Sequence, residues 1–284
     1  VSVGALPDGL TLNATTGEVT GTPNVTGVFN VTLLVTDTLA NAAAASVSID
    51  VRAALGLDLA VWPVFGNVGT AYGPVAATTI GGVAPYVYAV SETTPLPSGL
   101  VLDTETGSLD GTPEAVGVYA VTVTVVDALL ASAQANTTIT INPALTLNVT
   151  TVPEVGEVGE AYTGKVFAEG GTAPFVYGVS KGPLPDGLEL NTTSGDVTGT
   201  PNTTGTFVVT FAVVDAVAAT AEAEATIVVY GVLMLDAAGM PLVGEVGVAY
   251  VGNVTAVGGS GSFTYAVSVG ALPDGLTLNA TTGE

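Results

Sequence analysis

The amino-acid sequence predicts an all-β protein made of tandem β-sandwich domains, each 88–90 residues long. Landmark motifs recur at this interval, and the short segments between them alternate apolar and polar residues with the period of two expected for strands. Clusters of Gly and Pro separate these segments, as turn residues do. About seven short strands in each repeat would suit a sandwich of two sheets.

The repeat is marked by the motif Leu-Pro-Asp-Gly-Leu, or its variant with Ser at the third position. The motif begins at Leu6, Leu96, Leu184 and Leu272, at spacings of 90, 88 and 88 residues. Other landmarks keep the same spacing: the motif Gly-Thr-Pro, an aspartate (Asp37, Asp127, Asp215) and a tyrosine (Tyr72, Tyr162, Tyr250). The predicted organisation is the C-terminal part of one domain (1–53, the N-terminal half-domain), two complete domains (54–143 and 144–231), and the N-terminal part of another (232–284, the C-terminal half-domain).

Each domain is predicted to contain one long, half-buried antiparallel strand. In Phe29–Asp37 the apolar residues Phe29, Val31, Leu33 and Val35 alternate with Asn30, Thr32 and other outward positions. The equivalent segments are Tyr119–Asp127 and Phe207–Asp215. Each of these segments is expected to end at a hairpin turn.

The last strand of each domain and the first strand of the next lie close together in the sequence. The last strands carry Val47, Ile49 and Val51, or Ile139 and Ile141, or Ile227 and Val229; the first strands carry Leu55, Leu57 and Leu59, or Leu145, Leu147 and Val149. Only three residues separate them, and none of the junctions is a Gly/Ser tract. The sequence therefore predicts a semi-rigid rod of domains.

Composition excludes several classes of function. The chain has 3 basic and 25 acidic residues, so its net charge of −22 opposes binding to nucleic acid or anionic lipid. It contains no Cys and no His, which excludes thiol chemistry and a Ser-His-Asp site. No apolar run reaches the roughly 18 residues of a membrane span, so no membrane insertion is expected in this segment.

The run from Leu6 to Asp37, LPDGLTLNATTGEVTGTPNVTGVFNVTLLVTD, resembles the immunoglobulin-like repeat of large surface proteins, which is similar to the cadherin-like domain of dystroglycan. The pattern recurs in full three times, and a fourth copy begins near the C-terminus. The resemblance implies tandem immunoglobulin-like β-sandwich domains outside the cell, at the cell surface or in a surface appendage. It implies neither a catalytic site nor a cofactor, so the chain is expected not to be an enzyme.

Asparagines in glycosylation sequons are unusually frequent. Of 12 asparagines, nine lie in Asn-x-Thr, namely Asn13, Asn24, Asn30, Asn136, Asn148, Asn191, Asn202, Asn253 and Asn279. Strand phase and turn position place them at the surface, which predicts N-linked glycans in an extracellular protein. The alternative is that Asn suits turns and Thr suits strands, and Asp103 replaces Asn at one of the turns.

Two further features each have two interpretations. Asp37, Asp127 and Asp215 could bind calcium, but they lack the spacing of known calcium loops and are expected instead to cap hairpin turns. Trp62, the only tryptophan, could anchor a lateral contact or a sugar, although packing is favoured.

The sequence leads to a structural hypothesis: a glycosylated shaft or filament segment whose partners are neighbouring copies of the repeat, end to end and laterally. The alternative is an adhesin, or a ligand-binding stalk whose loops bind a partner or a carbohydrate. A third possibility is a non-catalytic accessory region of a secreted enzyme. An adhesive site should distinguish one unit by a divergent loop, whereas the units here differ mostly by single substitutions.

Residues Val1–Glu18 are identical to Val267–Glu284, which lie 266 residues further on. Two accounts fit this identity. Successive chains could complete a split domain between them, in which case one copy of the eighteen residues is surplus. More simply, the sequence is a window on a longer chain that repeats every 266 residues, and its visible termini are not the protein's own.

Overall fold

The computed structural model describes residues 1–284, all of its regular structure is β, and it forms two compact units, Val1–Asn142 and Pro143–Glu284. It has no helix long and apolar enough to cross a bilayer. The first unit contains the N-terminal half-domain and the first complete domain. The second unit contains the second complete domain and the C-terminal half-domain.

In the first complete domain the alternating segments form a two-layer sandwich. Its strands are β5 (Gly56–Asp58), β6 (Phe65–Asn67), β7 (Tyr72–Ala76), β8 (Thr78–Ile80), β9 (Val87–Val90), β10 (Leu100–Leu102), β11 (Ser108–Gly111), β12 (Gly117–Val126) and β13 (Ser132–Asn142). One layer is the sheet β6-β13-β12-β9, and the other comprises the sheets β10-β11-β7 and β5-β8.

The second complete domain repeats this topology. Its strands are β14 (Thr146–Asn148), β15 (Val155–Glu157), β16 (Tyr162–Lys165), β17 (Phe167–Glu169), β18 (Val176–Lys181), β19 (Leu188–Leu190), β20 (Asp196–Gly199), β21 (Gly205–Val214) and β22 (Thr220–Tyr230). The sheets are β15-β22-β21-β18, β16-β20-β19 and β14-β17.

Each complete domain has nine strands, where about seven were expected. The first strand is divided because the chain turns near Pro63 and Pro153. Before the turn, β5 pairs with β8 and β14 pairs with β17. After the turn, β6 pairs in parallel with β13, and β15 pairs in parallel with β22. Proline lacks the N–H that would continue the ladder. A second division falls at Ala77 and Val166, whose N–H groups bond carbonyls of the turns at Gly107 and Gly195.

The long strands have the predicted alternation. In β12, Val121, Val123 and Val125 are buried, as are Val209, Phe211 and Val213 in β21. They pack with Ile139 and Ile141, or with Ile227 and Val229, from the next strand. Each complete domain therefore has its own apolar core between its two layers.

The half-domains contain fewer strands. The N-terminal half-domain has β1 (Leu10–Leu12), β2 (Val19–Gly21), β3 (Gly27–Thr36) and β4 (Ala42–Val51). The C-terminal half-domain has β23 (Met234–Asp236) and β24 (Thr255–Val257). The N-terminal half-domain thus holds the equivalents of β10 to β13, and the C-terminal half-domain the equivalents of β5 and β8.

Candidate functional site

The recurring aspartates lie at hairpin turns and accept backbone N–H groups. Asp127 is buried: its Oδ1 accepts from Leu129 and Ala131 at 2.9 Å each, and its Oδ2 accepts from Val83 at 3.0 Å. The carboxylate therefore closes the β12–β13 turn and fastens the loop that precedes β9. This is the turn-capping role predicted for it.

The same geometry recurs in the second complete domain. Asp215 Oδ1 accepts from Val217 and Ala219 at 3.0 and 2.8 Å, and Oδ2 accepts from Thr172 at 2.8 Å. In the N-terminal half-domain, Asp37 is exposed and its Oδ2 accepts from Asn41 Nδ2 at 2.8 Å. The hydrogen bond from the Asn41 side chain, followed by that from its backbone, holds the pKa of Asp37 below its usual value.

The sequon asparagines are at the surface, with one exception. Asn13, Asn24, Asn30, Asn136, Asn191, Asn202, Asn253 and Asn279 are exposed. They lie on strands, in loops and in turns, and none of the nine hydrogen-bonds another. The outward strand phase predicted for Asn30 agrees with its exposure in β3.

Three of the exposed asparagines also shape turns. Asn13, Asn191 and Asn279 each accept the N–H groups of the residues two and three positions later through Oδ1. Asp103 forms the same turn, and the N–H groups of Thr106 and then Glu105 hold its pKa below its usual value. The turn role of Asn is therefore real at these positions, but it uses Oδ1 and not the Nδ2 atom to which a glycan is attached.

Asn148 differs from the other eight because it is half-buried at the end of β14. Its Nδ2 donates to Glu169 Oε1 at 2.8 Å, and its Oδ1 accepts from the N–H of Thr150. This contact could not be predicted from the local sequence, because Glu169 lies 21 residues away on the paired strand β17. Only knowledge of the β14–β17 register would have shown it.

Trp62 lies in the core of the first complete domain and is 2% exposed. Its counterpart Val152 is also buried in a core. Trp62 Nε1 has no hydrogen-bond partner, so the ring contributes apolar packing. The favoured packing interpretation is confirmed, and a surface contact or sugar platform is excluded by this burial.

A tyrosine fastens the divided first strand in each repeat, and this tyrosine is buried in the two complete domains. The hydroxyls of Tyr72, Tyr162 and Tyr250 donate to the carbonyls of Pro63, Pro153 and Pro241, each nine residues earlier. Burial raises the pKa of Tyr72 and of Tyr162 to about 12. The constant spacing of nine residues between this proline and this tyrosine is visible in the sequence. It could have predicted the hydrogen bond, which the recurrence of the tyrosine alone does not.

The described residues include no group of three or more His, Cys, Asp or Glu that could hold a metal ion. The two ion pairs, Arg52–Asp50 at 2.5 Å and Lys165–Asp196 at 2.9 Å, are both exposed. The site features that recur are thus turn caps, buried tyrosines and exposed sequons.

Among curated proteins, the chain is similar to proteins named "Serine-rich adhesin for platelets" from Staphylococcus aureus. One is 34% identical over 154 residues, which cover 53% of this chain and 6% of the adhesin. Another, from strain MRSA252, is 33% identical over 154 residues and is covered to 11%. The chain therefore spans only a small fraction of the length of these relatives.

Two solved structures show weaker likeness. A C-terminal 282-residue fragment of intimin, in complex with the intimin-binding domain of its translocated receptor, matches at a TM-score of 0.37 and 14% identity, over 66% of this chain and 67% of that chain. The extracellular domain of protocadherin gamma B4 matches at a TM-score of 0.30 and 15% identity, over 99% and 54% of the two chains.

A family model described as "Putative Ig domain" matches three successive stretches, 1–52, 63–142 and 144–230, which together cover most of the chain. The stretches follow the repeat predicted from the sequence, and the sheets within them form the expected sandwiches. The chain belongs to this Ig domain family, and it is a non-enzymatic array of tandem Ig-like β-sandwich domains.

Proposed function

We propose that this chain is a structural, N-glycosylated shaft segment of a large extracellular repeat protein at the cell surface. Family membership supports the tandem, non-catalytic architecture. The observation that carries the structural role is that all three junctions between successive repeats are held by the same backbone hydrogen bond.

In each case a glycine N–H of the following repeat donates to a carbonyl of the junction. Gly82 bonds Ala53 at 2.9 Å, Gly171 bonds Pro143 at 2.9 Å, and Gly259 bonds Gly231 at 2.7 Å. A junction residue held in this way has less conformational freedom than a residue in a flexible linker. Such junctions suit a shaft, which must limit bending between its domains.

The close approach at these junctions requires glycine. Gly170 adopts φ +69°, and a Cβ added there would lie 2.2 Å from the carbonyl oxygen of Ala144. Gly81 adopts a similar conformation, with φ +65°, beside Ala54. Each complete domain thus has a glycine at the position where its chain passes closest to the preceding junction.

Glycans on the exposed sequons would serve a chain that has few charges. Only 10% of residues are charged, and apolar side chains such as Val118 and Leu129 are exposed. Hydrated glycans on β3 at Asn30 and on β13 at Asn136 would shield sheet surfaces from association with other strands.

Glycopeptide analysis of the chain made in a host with N-glycosylation machinery tests this part of the proposal. Glycans are expected at the eight exposed sequon asparagines. Asn41 is the matched control, because it is exposed but followed by Ala-Ala, and it should stay unmodified. Unmodified peptides at all nine sequons would overturn the glycosylation proposal while leaving the junctions to be tested separately.

The second candidate is an adhesin, favoured by the name of the similar S. aureus proteins. Binding of the isolated chain to immobilised platelets, compared with binding of an unrelated Ig-like domain, separates the two. A shaft is expected to bind no more than the control does. Saturable binding that is competed by free chain would favour the adhesin.

A further inference from the structure

We propose that a second copy of this chain docks on one sheet face of the first complete domain, and that glycosylation of Asn136 prevents this docking. The face is the outward side of the sheet β6-β13-β12-β9, and we call it the uncharged face. The docking itself depends only on the surface of this domain. The control by Asn136 rests on the glycosylation proposed above.

The uncharged face is defined by the register of its strands. Val123 in β12 and Ile139 in β13 are buried in the core, so the residues that alternate with them point outward. These outward residues are the even-numbered positions from Val118 to Val126 and from Ser132 to Thr140, with Val87 and Ala89 in β9 and Phe65 in β6.

None of the outward residues on this face is charged, although the chain has a net charge of −22. Some of them are apolar and exposed: Val118 is 72% exposed and Val87 is 58% exposed. Phe65 is also exposed, and it lies in one row with Thr140 and Val118 across three neighbouring strands. This face therefore lacks the carboxylates that would repel another acidic surface.

The second complete domain shows that the fold does not require an uncharged face. Its equivalent face carries Glu222 and Glu224 in β22, at the positions that Gln134 and Asn136 occupy in β13. Both pairs of residues lie in the same register, opposite β21 in one domain and β12 in the other. The two domains thus share a backbone arrangement and differ in the charge of this surface.

The occupant that suits the uncharged face is a second copy of the chain. Two acidic chains repel each other wherever their carboxylates meet, and the uncharged face is a surface on which they meet without that repulsion. In a two-fold symmetric contact each uncharged face lies against its own copy. Its Thr, Gln and Asn side chains supply both donors and acceptors, so they can pair with the same residue types.

The size of the face predicts weak pairing. β12 and β13 contain 10 and 11 residues. Strands of this length extend roughly 33 Å, and four strands side by side are at most roughly 19 Å wide. Contact between two copies would bury on the order of 1,000 Å², which is near the lower limit for specific interfaces. We therefore expect a dissociation constant of about 10–100 μM.

Asn136 lies near the middle of the uncharged face. It is exposed in β13 opposite Thr122, and it begins the sequon Asn136-Thr137-Thr138. Packed sheets approach to about 10 Å, which leaves no room for a bulky glycan between them. A glycan on Asn136 would therefore keep two copies apart, and its absence would permit them to pair.

Sedimentation equilibrium tests the docking with the 284-residue chain made in a host that lacks N-glycosylation machinery. The mass is expected to rise above 27.8 kDa as the concentration increases. Gln134→Glu combined with Asn136→Glu should weaken pairing about 100-fold, because like charges would face each other across the contact. The second complete domain has Glu at both positions, so the fold accommodates them, and unchanged emission from buried Trp62 checks this.

The matched control adds the same charge to the other layer of the same domain. It combines Ile80→Glu with Val101→Glu, at exposed positions where the second complete domain has Glu169 and Glu189. This control should pair like the unmodified chain. Any contact made elsewhere on the molecule is common to all these variants, so the difference between them reports the uncharged face alone.

The role of Asn136 is tested with the same chain made in a host that has N-glycosylation machinery. Chain that carries a glycan at Asn136 should pair about 100-fold more weakly, because the glycan separates the two sheets. Asn136→Gln removes the sequon but keeps the face uncharged, so it should pair as strongly as the chain without glycans. Undiminished pairing of the glycosylated chain, or an unmodified Asn136, would overturn this control while leaving the docking result intact.

Three outcomes would overturn the docking itself. The first is an unglycosylated chain that stays monomeric at all concentrations. The second is equal pairing of the two double variants that carry added Glu residues. The third is retention of monomeric chain on an uncharged polysaccharide such as cellulose, lost on combining Gln134→Glu with Asn136→Glu, because the face would then bind a sugar polymer.

Discussion

At the scale of single residues, each buried aspartate, Asp127 or Asp215, accepts three backbone N–H groups. Asp215→Asn should destabilise the second complete domain by about 1–3 kcal/mol, because an amide cannot accept all three N–H groups and would point a donor at one of them. The free energy of unfolding in urea measures this effect. Asp186→Asn, at an exposed position, should change it by less than about 0.5 kcal/mol. Equal small effects would contradict the assigned role.

The buried tyrosines make stability depend on alkaline pH. Burial raises the pKa of Tyr162 to about 12, compared with about 10 in an unfolded chain. The resulting stability is complete below pH of about 10 and is lost as pH rises towards about 12, because only the unfolded chain ionises readily. Thermal unfolding of the second complete domain should show this loss, and Tyr162→Phe should reduce it. If the Tyr162→Phe variant lost as much stability at alkaline pH as the unmodified chain does, ionisation of Tyr162 would not be the cause.

Asn148 is expected to be the least glycosylated sequon. Its Nδ2 is bonded to Glu169 and its side chain is half-buried, so the glycosylating enzyme has less access to it. Glu169→Ala should raise occupancy at Asn148, as measured by glycopeptide mass spectrometry, without changing Asn191. Occupancy at Asn148 equal to that of the exposed sites in the unmodified chain would contradict this account.

The exposure of a sequon asparagine was predictable wherever it depends only on the alternation of the strand or on the position in a turn. Asn30 in an alternating strand and Asn13 in a turn are exposed as expected. Asn148 satisfied the same local rule, yet its exposure depends on a cross-strand neighbour far away in sequence. The same distinction applies to the hydrogen bonds of Asp127. Its bonds within the turn could be predicted from the sequence, whereas its bond with Val83, 44 residues away, is seen only in the folded structure.

At the scale of elements, the long hairpins were predictable and the short strands were not. β3, β12 and β21 alternate over ten residues each, so period and turn chemistry identify them. The three- and four-residue strands have too few residues for a period to show. The breaks between these short strands depend on prolines and on hydrogen bonds with distant turns, such as the bond from the Ala77 N–H to the Gly107 carbonyl.

The core strand β21 should control the stability of its own domain only. Phe211→Ala removes a fully buried ring and should cost about 3–5 kcal/mol in the second complete domain. Trp62 emission reports the first complete domain, whose unfolding midpoint should not change. Val208→Ala, at an exposed position of the same strand, is the control and should cost little. A matching shift in the Trp62 midpoint would show that the domains unfold as one.

At the scale of the whole molecule, the repeat itself was the most predictable feature. Landmarks spaced by 88–90 residues mark the same stretches that the family model matches. The hydrogen bonds at the junctions were not predictable to the same degree. A periodic sequence shows where one repeat ends and the next begins, but the bonds from Gly82 to Ala53 and from Gly171 to Pro143 are seen only in the fold.

We propose that the hydrogen-bonded junctions make this chain a semi-rigid shaft, and small-angle X-ray scattering tests this proposal most directly. Sandwiches of roughly 40 Å each predict an extended particle with a maximum dimension on the order of 120 Å, and a Gly/Ser insertion after Asn142 should broaden its distribution of distances. A profile typical of a flexible chain, or one that the insertion leaves unchanged, would contradict the account.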